Sequence, residues 1–326
     1  MIKPIELSVE LPMSIPGGLS TTTRVWEVLE ASHAGNLDKV KALAATEPGL
    51  LYAQYNYTPP IHFAVREGHL PLTEYLLNQG ALDLTYRIYP FLDTLLTIAL
   101  DRNHHHIAAL LQEYLHDDAH VKYRGDHGEI HYNRSEEANA FEQAVDEGRI
   151  DEVADLLKGN PALAQDLTFF WSEGILTMPA KDGNYPMLEL LMQYGAVVPK
   201  VLKWAQFYYL ERYEQAAFLL ERGMDPNTMS WHHVTVLHDM AQKGEQEKAQ
   251  LLLKHGARLD DIDDEYQSTP LGLAARWGQA EMVELLLDSG ADPNKSGAPW
   301  STPLAWANHK GHVHIGNLLR AAGAQS

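Results

Sequence analysis

No cysteine occurs among the 326 residues, which excludes disulfides, thiolate nucleophiles and Cys-ligated metal sites. No apolar run approaches the ~20 residues that a membrane-spanning helix needs, and no charged-then-apolar leader opens the chain. The expectation is a cytoplasmic protein that meets no membrane. Positive charge is scarce: 25 Lys and Arg stand against 44 Asp and Glu, a formal net charge of −19. Phosphate binding needs clustered Lys and Arg, so no nucleic-acid partner is expected. The acidic balance otherwise says only that the surface is well solvated. The P-loop, the nucleophile elbow and the zincin helix are also missing, and no motif implies a cofactor.

Repetition is what the chain has instead. Thr235-Val236-Leu237-His238 aligns with Thr269-Pro270-Leu271-Gly272 and with Thr302-Pro303-Leu304-Ala305. A glycine follows each (Gly244, Gly278, Gly311), then an apolar triplet or pair: Leu251-Leu252-Leu253, Leu285-Leu286-Leu287 and Leu318-Leu319. Gly256-Ala257 and Gly290-Ala291-Asp292-Pro293-Asn294 close the first two copies, and Gly323-Ala324 ends the last. The period of roughly 33 residues predicts a solenoid. Thr caps the first helix of each unit, Pro sits where a missing N–H costs nothing, and the mid-repeat Gly takes the left-handed conformation that stops the helix. The Leu run lines the inner face of a second helix. Such a pair exposes apolar faces that only neighbouring pairs bury.

These motifs resemble the ankyrin repeat, whose pattern is T-P-L-H-x-A, a Gly, a helix ending in L-L-L, and G-A-D-x-N. The resemblance implies an all-α helical solenoid with projecting β-hairpin fingers. It also implies a concave groove, lined by fingers and first helices, that binds another protein. Carried backwards, the register gives about nine units, beginning near Trp26, Pro59, Thr94, Asn139, Gly174, Leu202, Thr235, Thr269 and Thr302. The last are closest to the family pattern. In the third, Asn103 replaces the central Gly, and in the fifth Pro179 sits inside the first helix. Residues 1–25 are expected to form an extended N-terminal arm and 26–326 a single array. His62 and His238, at the T-P-L-H position, and His104 are read as structural.

Departures from the pattern are where a site is sought. The finger positions are aromatic, with Tyr132, Trp171, Trp231, Tyr266 and Trp300 among them. Large aromatics dominate binding hot spots when exposed, and stiffen hairpins when paired across strands. The ends of the first helices add Arg276, Trp277, His309 and Lys310, and His233 lies on a finger. The ligand- or partner-binding candidates are therefore Tyr132, Trp171, Trp231, His233, Tyr266, Arg276, Trp277 and Trp300.

Two units are irregular. Residues 116–135 enlarge one finger, and Val197-Val198-Pro199-Lys200 is too short for another. If residues 126–132 form a strand, alternation puts His127, Glu129 and His131 on one face. Such a His₂Glu set suits a divalent metal or acid/base work, and a solvated hairpin explains the same letters. The primary expectation is a protein-binding scaffold with no cofactor. The alternative is a groove enzyme acting on a carbohydrate-like substrate, with Glu129, His127, His131, Glu173 and Asp182 as acid/base groups.

Overall fold

The computed structural model describes residues 1–114 and 128–325. By contacts the chain falls into two compact bodies, Lys3–Tyr132 and Met1–Ile2 with Asn133–Ser326. The division at Tyr132 and Asn133 lies within the 116–135 insertion. Within the described residues both bodies are built from helix pairs, and the strands are short. No described helix is long and apolar enough to cross a membrane.

The first body opens with a 3-10 turn at Ile5–Ser8, then strands β1 (Pro12–Ile15) and β2 (Gly18–Thr21). These pair antiparallel, Pro12 opposite Thr21 and Ile15 opposite Gly18. Pro16 and Gly17, the latter at φ +92°, make the turn. Alternation buries Met13 and Ile15, so the segment expected as an extended arm is largely a hairpin. Helix α1 (Thr22–His33) starts before Trp26, because the Thr21 side chain caps it by accepting the Arg24 N–H. Then come α2 (Leu37–Thr46), α3 (Pro60–Arg66), α4 (Leu70–Asn78), α5 (Leu95–Asp101) and α6 (His105–Tyr114).

The second body continues with α7 (Glu136–Asp146), α8 (Ile150–Gly159), a single turn α9 (Phe169–Ser172), α10 (Thr177–Asp182) and α11 (Tyr185–Gln193). A 3-10 helix at Trp204–Leu210 takes the place of an α-helix in the next unit, paired with α12 (Tyr213–Glu221). The regular pairs follow: α13 (Val236–Lys243) with α14 (Gln246–Lys254), α15 (Pro270–Arg276) with α16 (Ala280–Asp288), and α17 (Pro303–Lys310) with α18 (Val313–Ala321). Strand β3 (Val201–Leu202) pairs parallel with β4 (Met229–Ser230).

The repeated letters do repeated work. Thr235, Thr269 and Thr302 each cap a first helix through the side-chain oxygen. The stop between helices is left-handed at Gly244 (φ +72°), and Asn103 adopts φ +62° where the glycine is missing. The residue after the stop reaches back to the preceding unit. His69 Nε2 lies 2.9 Å from the His33 carbonyl, His104 Nε2 3.0 Å from that of Arg66, and His312 Nε2 3.2 Å from that of Arg276. These bonds satisfy carbonyls that a helix end leaves open. The Asp-Pro-Asn turns tie successive fingers: Asn294 Nδ2 donates to the Gly323 carbonyl (3.2 Å), while its Oδ1 accepts the Gln325 N–H (2.7 Å). Leu76, Leu111, Leu157, Leu191, Leu252, Leu286 and Leu319 are buried on the second helices.

Candidate functional site

Near the C-terminal end of the second body, α15, α17 and the fingers before them assemble an aromatic stack. The Tyr266 ring is wholly buried and meets Trp277 edge-on at 5.5 Å and Trp306 at 5.9 Å. Trp306 meets Trp300 at 5.8 Å and His309 at 6.2 Å. Such edge-to-face pairs add about 0.5–1.5 kcal/mol beyond burial. The Arg276 guanidinium lies 4.0 Å from the Tyr266 ring centre and 3.9 Å from that of Trp277. A cation over desolvated rings is favoured by about 2 kcal/mol. Lys310 sits 5.7 Å over Trp306. The Trp306 indole N–H donates to Ser268 Oγ at 2.7 Å, which fixes the stack to the finger before it. Arg276 and Trp306 are buried, while Trp277 and Trp300 are half-exposed. The face offered to solvent is thus aromatic, rigid and backed by positive charge.

The structure brings Tyr266, Arg276, Trp277 and Trp300 together as one group. Trp306 completes it and was not singled out in the sequence; its signal is a Trp standing between Ala305 and Ala307, where the aligned α15 has Leu273 between Gly272 and Ala274. Trp231 is not ligand-facing: it is 3 % exposed and its ring stacks 4.1 Å from that of His232.

Paired His and carboxylate groups join the fingers beside Trp231. His232 Nδ1 lies 2.6 Å from Glu265, with both side chains buried. His233, half-exposed, lies 3.0 Å from Asp264, and the Met1 amino nitrogen lies 3.0 Å from the same carboxylate. The backbone follows suit, Asp264 N–H donating to the His232 carbonyl at 2.9 Å. His233 is therefore committed to a contact between fingers.

Trp171 stands out by exposure, at 65 %, on the turn α9. Glu173 next to it is half-buried, whereas Asp182 is exposed at the end of α10. Burial raises the Glu173 carboxyl above its ordinary range, against the opposing pull of Lys203 and Lys181.

In the first body, Ile130 bridges Met13, and the Ser14 N–H donates to the Glu129 carbonyl at 2.8 Å. Residues 129–131 thus run along β1. Glu129 and His131 are exposed and Tyr132 half-buried, and His131 Nε2 lies 2.8 Å from Ser14 Oγ. His127, with most of the enlarged finger, lies outside the described residues, so the His127–Glu129–His131 set is represented only by its last two members. Elsewhere in this body, burial alone would raise the Glu67 carboxyl, but the Arg66 and Arg102 guanidiniums hold it below the usual range. Glu67 lies 2.6 Å from Arg66 and 3.4 Å from Arg102.

Comparison with known proteins sharpens the picture. The family model for ankyrin repeats (3 copies) matches residues 208–297, and that for the ankyrin repeat matches residues 56–87. Ankyrin repeat protein nuc-2 of Neurospora crassa is 30% identical over 148 residues, covering 45% of this chain and 11% of that protein. Mouse palmitoyltransferase ZDHHC13 is 34% identical over 93 residues, covering 28% of this chain and 14% of its own. The chain thus spans only about a tenth to a seventh of the length of these curated relatives. A solved ankyrin repeat domain from Acinetobacter baumannii AYE has 22% sequence identity and a TM-score of 0.48, covering 57% of this chain and 98% of that one. The family models fall on the helix pairs of both bodies, carried by the Thr, Gly and Leu-Leu positions described above. They show ankyrin repeats over residues 56–87 and 208–297, and the ankyrin repeat is a protein–protein interaction module.

Proposed function

We propose that the chain binds a partner protein through the finger and first-helix face of its second body, with Trp277 and Trp300 as the anchors. The observation that supports this is the convergence of Tyr266, Arg276, Trp277, Trp300 and Trp306 in one stack, whose two outer indoles reach solvent. Hot spots are enriched in Trp, Tyr and Arg, and rigid support lowers the entropy lost on binding. Arg276 and Lys310 beneath the rings favour a partner segment that brings carboxylates or carbonyls.

The test is affinity capture with the full chain as bait, followed by titration of the captured partner against Trp277→Ala and Trp300→Ala. Each truncation of a hot-spot Trp is expected to cost about 2 kcal/mol, roughly 30-fold in affinity. A partner that binds both variants as tightly as the wild type would refute this face as the docking surface.

A further inference from the structure

The turn at residues 168–174 is costly, and the chain holds it in place deliberately. Phe170, Trp171 and Ser172 all have positive φ, at 46°, 59° and 65°. A left-handed run without glycine costs about 1–2 kcal/mol per residue, and persists only where its surroundings over-determine it. They do so here. Arg134 donates through Nη2 to the Thr168 carbonyl and through Nε to Thr168 Oγ1 at 3.3 Å, and it pairs with Glu142 at 2.7 Å. The other Glu142 oxygen accepts the Phe170 N–H at 2.6 Å. Lys203 Nζ donates to the Trp171 carbonyl. The outcome of this bracing is an indole held out in solvent, 65 % exposed, with a half-buried carboxyl two residues on.

Beside that carboxyl stand two hydroxyl side chains. The Tyr208 phenol stands beside Glu173 and Thr177. Tyr208 Oη and Thr177 Oγ1 are both shielded from solvent, and the phenol is within hydrogen-bonding reach of Glu173 and Thr177. A phenol so placed is poised to donate to the carboxyl and orient it. Thr177 and Tyr208 come from α10 and from the 3-10 helix that replaces a regular first helix. The irregular stretch of the array thus faces its strained turn.

We propose that Trp171 and Glu173 form a binding site for a neutral saccharide, whose ring stacks on the indole while its hydroxyls hydrogen-bond the carboxyl, with Tyr208 as a positioning residue. A sugar ring combines an apolar C–H face with adjacent hydroxyls that both donate and accept, which matches a platform next to a carboxyl. Burial keeps the Glu173 proton to higher pH than an exposed glutamate would, and in that protonated form the group offers a donor as well as an acceptor. Nearby Lys203 is tied to the turn. The site shares no residue with the Trp277–Trp300 face, so each stands or falls separately.

The experiment uses the full chain in a thermal scan and calorimetric titration with cellotetraose, chitotetraose and maltotetraose, and with tetragalacturonic acid as the anionic arm, each up to about 10 mM. At least one neutral tetrasaccharide is expected to raise Tm. Trp171→Ala removes the shift, Trp171→Phe keeps affinity within about threefold, and Glu173→Gln weakens it by roughly tenfold. Wild-type affinity is expected to fall as rising pH deprotonates Glu173, and Glu173→Gln flattens that profile. Tyr208→Phe removes a donor that favours the ionised carboxylate, so it moves the midpoint to higher pH, which a merely structural role would not do. Circular dichroism checks that each variant is folded. If Trp171→Ala is not, the Phe and Gln variants decide. The proposal is overturned if no neutral tetrasaccharide shifts Tm, if only the anionic one does, or if folded Trp171→Ala binds as the wild type.

Discussion

Both nitrogens of His238 are committed. Nδ1 accepts the Thr235 N–H at 3.1 Å and Nε2 donates to the Ser268 carbonyl of the next finger at 3.0 Å. Only the neutral imidazole fits, and burial pushes its pKa down to about 4 from an ordinary 6.5. The unfolded chain therefore binds a proton that the folded chain refuses between those values. This contribution is fully present above about pH 6.5 and is lost as pH falls towards 4, by ~3 kcal/mol. His238→Gln is expected to cost about 2–4 kcal/mol at pH 7, through a lost bridge and a buried orphan group. In urea titrations at pH 7, 5.5 and 4.5 the gap to wild type should narrow steadily. A gap independent of pH would refute the neutral assignment. The role of His238 was legible in its T-P-L-H position. The inward turn of Trp231 was not, because burial of a finger aromatic depends on what the adjacent finger presents, and Glu265, which pairs with the neighbouring His232, is supplied across that gap.

Among the elements, α9 shows what periodicity cannot carry. Three left-handed residues in a row leave no mark in a pattern of Phe, Trp and Ser, since nothing in those letters favours positive φ. The conformation is imposed from a distance by Arg134, whose guanidinium also lies 5.0 Å over the Phe169 ring. Arg134→Met should cost about 2–4 kcal/mol, because Glu142 and the Thr168 carbonyl lose charge-assisted partners. Unlike the surface pairs of α8, this loss concentrates in one turn. Limited proteolysis is expected to cut the variant between 166 and 174 before any other site. Cleavage unchanged from wild type would show that the turn holds without Arg134. The regular helices, by contrast, were legible: Thr caps, Pro at the first turn and the closing glycines place α13, α15 and α17 within a residue or so. The start of α1 was missed because Thr21 caps one turn earlier than the first apolar residue suggests.

At the scale of the whole chain, stability in a repeat array is close to a sum of unit and interface terms, so it need not be uniform. Helices α13 to α16 carry Thr caps, the His238 bridge and buried Leu pairs. The unit before them has a 3-10 helix at Trp204–Leu210, whose i→i+3 bonds are poorer than those of an α-helix, and its finger is curtailed. Native-state hydrogen exchange should therefore divide the second body. Amides of α13 to α16 are expected to exchange only with global opening. Those of Trp204–Leu210 should exchange at least about 100-fold faster, a gap of ~2.7 kcal/mol. The difference should persist in low denaturant, because the faster opening exposes less surface. Equal protection in the two segments would mean that the 3-10 unit is bound into one cooperative block with its neighbours. It would also remove the argument that the array's irregular stretch is its adaptable one, where the repeat pattern gives way to a strained turn and a half-buried carboxyl.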